Sequence, residues 1–135
     1  MKILLINPPR SPHNMILASA PEEAKHYIHK KLIGPPLGLL TVAAAVKDYD
    51  VTLIDTKGEY DLNPDTTPPI EIYTQQLLKK YNPDIVGVTT IASETNYAIT
   101  ILEETKKYNP AILTVIGGLH ATLVPSDFNH PAIDL

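Results

Sequence analysis

Cysteine is absent from all 135 residues. The chain therefore has no disulfide, thiolate metal site, cysteine-held iron–sulfur cluster or cysteine nucleophile available to it. A surplus of basic residues is missing too, since 11 lysines and arginines face 15 acids for a formal charge of −4. That balance leaves no electrostatic footprint for nucleic acid or an anionic membrane. No apolar run reaches the roughly 18 residues of a membrane-spanning helix, and the apolar start MKILLIN is too short for a secretory signal. The expectation is a cytoplasmic protein with neither nucleic acid nor membrane among its partners. Nucleotide and hydrolase signatures are lacking as well. Where a dinucleotide fold carries G-x-G-x-x-G, this chain has NPPRSPHN, and neither a P-loop nor a G-x-S-x-G elbow occurs. Asp55 could serve as a ribose-binding acid but is a weak signal alone, and His26 and His29 read as a solvated face rather than a metal pair.

What the chain does contain is an alternation of β-like and helical segments. Residues 2–6, 51–54, 84–89 and 112–116 are dominated by Ile, Leu and Val without strict alternation, as suits strands buried on both faces of a parallel sheet. Between them, PPLGLLTVAAAVKD opens with proline, which the first turn of a helix accepts, and PPIEIYTQQLLKKYN puts Ile70, Tyr73, Leu77 and Tyr81 on one stripe. In SETNYAITILEETKKYN, Ser93 is a candidate N-cap, while Ala98, Ile101, Leu102 and Thr105 form the inward face. The string KKYNP recurs at 79–83 and 106–110. In each copy lysines suit the negative helix end, asparagine tolerates a left-handed exit and proline forbids continuation. Two β-α units thus enter one sheet the same way. Right-handed crossovers predict an α/β, doubly wound, flavodoxin-like parallel sheet in three α/β/α layers.

Ligands in such folds bind beyond the carboxyl ends of the strands. The connecting segments at that end are 7–34, 55–68, 89–93 and 117–122. The first far exceeds the usual βα connection of about 2–6 residues, which marks it as a functional segment. Asn7-Pro8-Pro9, Thr89-Thr90 and Gly117-Gly118 end three strands without a charged group. A glycine pair gives up backbone entropy and buries nothing, so something must approach the bare peptide there. The set suits a large, mostly neutral ligand with a nucleotide-like tail, held by hydroxyls and amides.

Taken in order, MKILLINPP, PPLGLLTVAAAV, VTLIDT, PDIVGVTTI and GGLHATLVP resemble the N-terminal cobalamin-binding domain of radical S-adenosylmethionine enzymes, many of which are methyltransferases. The resemblance covers essentially the whole chain and implies one Rossmann-like domain over 1–135. The terminal PAIDL is similar to the start of that family's fifth strand, and the family's C-x-x-x-C-x-x-C catalytic domain, with its 4Fe-4S cluster and S-adenosylmethionine, is absent. The chain is thus expected to be an excised module whose partners are cobalamin and that catalytic domain. The resemblance implies cofactor contacts from Asn7, Pro8, Pro9 and Gly38, from Thr89, Thr90 and Ser93, and from Gly117, Gly118 and His120. Related methionine-synthase-type domains place a cobalt-ligating histidine where Pro9 falls here. No protein imidazole is therefore expected on the lower face of cobalt, and no residue is assigned as a metal ligand. His13 is a poor substitute for that ligand, and His120 is expected to orient its loop or touch the tail. The competing reading is a ligand-free flavodoxin-like docking domain whose glycines only make a turn.

Overall fold

A computed structural model describes residues 1–10, 21–23, 34–63 and 65–135. Four strands, β1 (Lys2–Asn7), β2 (Asp50–Asp55), β3 (Ile85–Thr89) and β4 (Leu113–Gly117), form one parallel sheet in the order β2-β1-β3-β4. Each lies within a residue or two of the run that predicted it. β1 is central, with Leu4 opposite Thr52 on one side and opposite Val86 on the other. Every strand-to-strand crossing needs a helix, because parallel neighbours cannot be joined by a tight turn.

Those helices form two unequal layers. Leu4 and Ile6 of β1, Val86 and Val88 of β3 and Ile112 pack beneath α3 (Ile70–Tyr81) and α4 (Thr95–Tyr108). The inward residues of α4 are Ala98, Ile101, Leu102 and Thr105, the set its periodicity predicted. The opposite face of the sheet turns Ile3 and Leu5 toward α1 (Leu37–Ala45), which buries only Leu39 and leaves Leu37, Leu40 and Val42 exposed. The result is the expected flavodoxin-like α/β/α arrangement.

Local expectations fared unevenly. α3 buries Ile70, Thr74, Leu77 and Leu78, so Tyr73 and Tyr81 sit at the rim rather than on the core stripe. A rim position lets the phenol reach a polar partner, and the Tyr73 hydroxyl donates to the Glu59 carboxylate. Segment 55–68 is not simply a connection, because α2 (Thr56–Leu62) forms there, with Asp55 accepting the Gly58 N–H as its cap. Ser93 is not the N-cap of α4. A turn of 3-10 helix, Ala92–Glu94, comes first, and the Glu94 carboxylate reaches back to accept the Ile91 N–H. The two KKYNP copies also diverge. Asn82 exits in the left-handed region at φ 44°, whereas Asn109 is extended and uses its side chain to accept the Ala111 N–H. Asparagine's carboxamide can satisfy a helix exit in either way.

Beyond β4, Leu135 donates to the Thr114 carbonyl and accepts from the Ile116 N–H, the pattern of a parallel neighbour to Val115. Asp134 secures that register. Its carboxylate accepts Lys106 Nζ at 2.5 Å, the Thr114 N–H at 2.8 Å and the Thr114 hydroxyl at 2.9 Å. The lysine contact, then the two from Thr114, pull the Asp134 carboxyl from 3.8 down to about 2. A depressed carboxyl stabilises the fold above its unfolded pKa and loses that contribution as pH falls toward the folded one. Urea melts of wild type and Asp134→Asn are therefore expected to differ at pH 6 and to converge as pH falls from about 4 to 2. A gap that stays constant down to pH 2 would refute the charge-dependent anchor.

Candidate functional site

Helices returning antiparallel to the strands bring all four carboxyl ends to one edge of the sheet. The chain leaves β1 in one direction and β3 in the other, so a cleft is expected between those two strands. Ile6 pairs with Val88, which puts Asn7 and Thr89 side by side at its floor. Next to Thr89 comes Gly117, the last residue of β4.

The two glycines are bare for different reasons. Gly118 adopts φ 98°, a conformation L side chains rarely take. A Cβ there would stand 2.7 Å from Thr89 Oγ1, 2.7 Å from the Thr90 carbonyl and 2.8 Å from the Thr90 nitrogen. What approaches Gly118 so closely is therefore the chain's own exit from β3. The Thr90 N–H donates to the Gly117 carbonyl at 2.9 Å, and the His120 N–H donates to the Thr90 carbonyl at 3.3 Å. Gly117 differs, because a Cβ on it would meet nothing within 4 Å. Its peptide is tied into the β3–β4 ladder, and only the place where a side chain would stand is open.

The threonines divide in the same way. Thr90 is fully buried and its hydroxyl donates to the Ile91 carbonyl at 2.9 Å, so it is part of the framework. Thr89 is half-buried, and its hydroxyl has no hydrogen-bond partner among the described residues. His120 is the second residue of the short helix α5 (Leu119–Leu123). Its Nδ1 lies 2.7 Å from Thr95 Oγ1 and its Nε2 lies 2.9 Å from Asp127 Oδ2. The ring meets Phe128 edge to face at 5.0 Å. Thr95 and Asp127 were not foreseen as part of the site, because nothing in their spacing from His120 signals that they meet.

On the β1 side the floor is closed and charged, unlike the neutral cleft expected. Asn7, Pro8 and Pro9 are buried. Asn7 Nδ2 donates to Asp55 Oδ1 at 2.7 Å, and its carbonyl accepts the Thr56 hydroxyl at 2.6 Å. Behind them Glu94 is 4% exposed, with Lys57 Nζ at 4.0 Å, and Arg10 pairs with Asp61 at 3.4 Å. Burial pushes the Glu94 carboxyl up, against the opposing pull of the Ile91 N–H, Lys57 and Arg10. The glutamate three residues after Ile91 was the available signal for this turn, since a carboxylate at that spacing caps a helix start.

Residues 28–135 match the B12 binding domain family. The chain belongs to that family. It is also 35% identical over 127 residues to an uncharacterized methyltransferase of Pyrococcus horikoshii. That alignment takes in 93% of this chain and 23% of the relative, so the chain spans about a quarter of the curated relative's length. No solved structure matches.

A B12-binding domain needs a place where the cofactor can lie against the protein. The open space at the Gly117 Cα and the Thr89 hydroxyl, which has no partner among the described residues, fit that need, and both lie at the carboxyl end of the sheet. Ser93 is exposed in the turn that follows β3. Gly38 lies in the first turn of α1, also exposed and with open space where a Cβ would go. It lies toward the same end of the sheet on the other face, and among the described residues nothing joins it to the β3 and β4 exits. A cavity of about 190 Å³ lined by Lys2, Asp50, Lys80 and Tyr81 opens at the amino ends of β1 and β2, the opposite end from this site. The stretch 11–20, which includes His13, and the stretch 24–33, which includes His26 and His29, lie outside the described residues.

The two glycines are expected to respond oppositely to a methyl group. Gly118→Ala should cost about 2 kcal/mol or more through strain and collision with the Thr90 backbone. Gly117→Ala should stay within about 1 kcal/mol of wild type, since removing glycine freedom from the unfolded chain offsets small losses. Urea denaturation of both variants measures the contrast. Equal costs would contradict the difference in packing.

Proposed function

We propose that the chain is the cobalamin-binding module of a radical S-adenosylmethionine enzyme of the methyltransferase type, acting in the cytoplasm. In this reading the 4Fe-4S cluster and S-adenosylmethionine belong to a separate catalytic domain of the parent polypeptide. Three things support it: the family match, the methyltransferase relative, and a relative four times longer than the aligned stretch. The absence of cysteine fits as well, because this chain has no thiolate with which to hold such a cluster.

The observation that carries the reading is the open space where Gly117 lacks a side chain, beside a Thr89 hydroxyl with no partner among the described residues. Bound cobalamin supplies a cobalt centre for methyl transfer or radical rearrangement. The chain's part is to bind and orient. Gly117 offers backbone without a side chain, Thr89 offers a hydroxyl that can donate or accept, and Gly118 locks both to the end of β3. Pro9, at the position where related domains carry a cobalt-ligating histidine, is buried and has no imidazole to offer. A bound cobalamin would therefore find no imidazole at that position.

Mixing the protein with hydroxocobalamin and following the corrinoid absorption bands by equilibrium dialysis tests the reading. Wild type should bind, and Gly117→Val, unchanged in its urea midpoint, should bind more than tenfold more weakly, a loss above about 1.4 kcal/mol. Equal binding by a folded Gly117→Val protein would remove Gly117 from the site. No binding by wild type would favour a ligand-free docking domain.

Electron paramagnetic resonance of the cob(II)alamin complex checks the ligand assignment separately. The spectrum should lack nitrogen superhyperfine splitting from a lower ligand. A triplet that disappears in His13→Ala would assign that role to His13.

A further inference from the structure

His120 sits two residues beyond the glycine pair, where a direct ligand contact is the simple expectation. Its geometry argues otherwise. The ionised Asp127 carboxylate can only accept, so Nε2 donates to it, while Nδ1 is engaged by the Thr95 hydroxyl, which can accept from or donate to it. Both nitrogens are then used, and the edge-to-face contact with Phe128 holds the ring plane. No polar atom of the side chain remains for a ligand. The ring instead joins three separate pieces of chain, namely the first turn of α4, the first turn of α5 and the 3-10 turn Pro125–Phe128.

Such a brace has work to do here. α5 is five residues long, too short to hold its own shape, and the exit of β4 touches the exit of β3 through only a few backbone contacts. We propose that His120 is a positioning residue for cobalamin. The relay Thr95–His120–Asp127 fixes the β4 exit in the one register that leaves the space above the Gly117 Cα open and Thr89 beside it. The proposal rests on the cofactor reading above, but its first measurement does not.

That first measurement is amide hydrogen exchange over residues 117–121 in the free protein, with ¹⁵N shifts of the His120 ring to place its proton. Thr95→Val should speed exchange there while leaving the strands protected. Thr95→Ser, which keeps the hydroxyl, should restore slow exchange. Hydroxocobalamin affinity should fall about fivefold to tenfold in Thr95→Val and in Asp127→Asn, the value of one or two lost hydrogen bonds, and recover in Thr95→Ser. Adding Thr95→Val to His120→Ala should cost little beyond His120→Ala alone. If only His120→Ala weakens binding, the ring touches the ligand directly and the proposal fails. It also fails if exchange over 117–121 is unchanged by Thr95→Val. Absence of cobalamin binding by wild type would overturn the cofactor reading, while the exchange result would still decide whether the relay holds the loop.

Discussion

The carboxyl edge of this sheet depends on one close approach, that of Gly118 to the Thr89-Thr90 peptide. Adjacent parallel strands normally part company after their last ladder bond, and their exits are free to diverge. Here φ 98° at Gly118 turns the β4 exit back across β3, with the Thr90 N–H on the Gly117 carbonyl and the His120 N–H on the Thr90 carbonyl. No side chain fits between them. The turn therefore settles where Gly117 points, which hydroxyl of the threonine pair is buried, and where α5 begins. A glycine can serve a binding site without touching the ligand, by letting two pieces of protein close on each other so that a third surface stays open.

Around that contact the site divides into a closed half built on buried polar and charged pairs and an open half of peptide and hydroxyl. Under β1 and β2, Asn7, Asp55 and Thr56 bond to one another, and Glu94 is buried against Lys57. Buried polar groups of this kind are tolerable only when paired, and their pairing makes the wall stiff. Beside β3 and β4 there are peptide, hydroxyl and open space. In the site we propose, the stiff half would define position while the bare half would take a bulky, largely uncharged ligand. The two faces of the sheet are unequal in the same sense. α3 and α4 cover a deep apolar layer, whereas α1 covers its face with little more than Leu39.

Much of the architecture could be read from the residues. The apolar strand runs, the repeated KKYNP and the inward face of α4 are all local patterns, and local patterns report elements and their order. The family's ordered motifs named residues that the fold brings together, with Thr89, Thr90, Gly117, Gly118 and His120 close in space. Where local signals had more than one solution the reading slipped. Ser93 and Glu94 compete to start α4, and the carboxylate wins because it can reach back to the Ile91 N–H. Asn109 has the same neighbours as Asn82 yet leaves its helix extended, since its carboxamide caps Ala111 instead.

The sequence by itself determined the fold class, the strand order's general type and the exclusion of thiolate chemistry, because periodicity, helix stops and composition need no knowledge of distant neighbours. Only the tertiary structure decided which glycine is closed and which is open, which threonine is framework and which is free, and that His120 is held by Thr95 and Asp127. Each of those outcomes turns on atoms that meet across the ends of β3 and β4, twenty or more residues apart for Thr90 with Gly118 and Thr95 with His120. Contacts of that range leave no periodic trace along the chain.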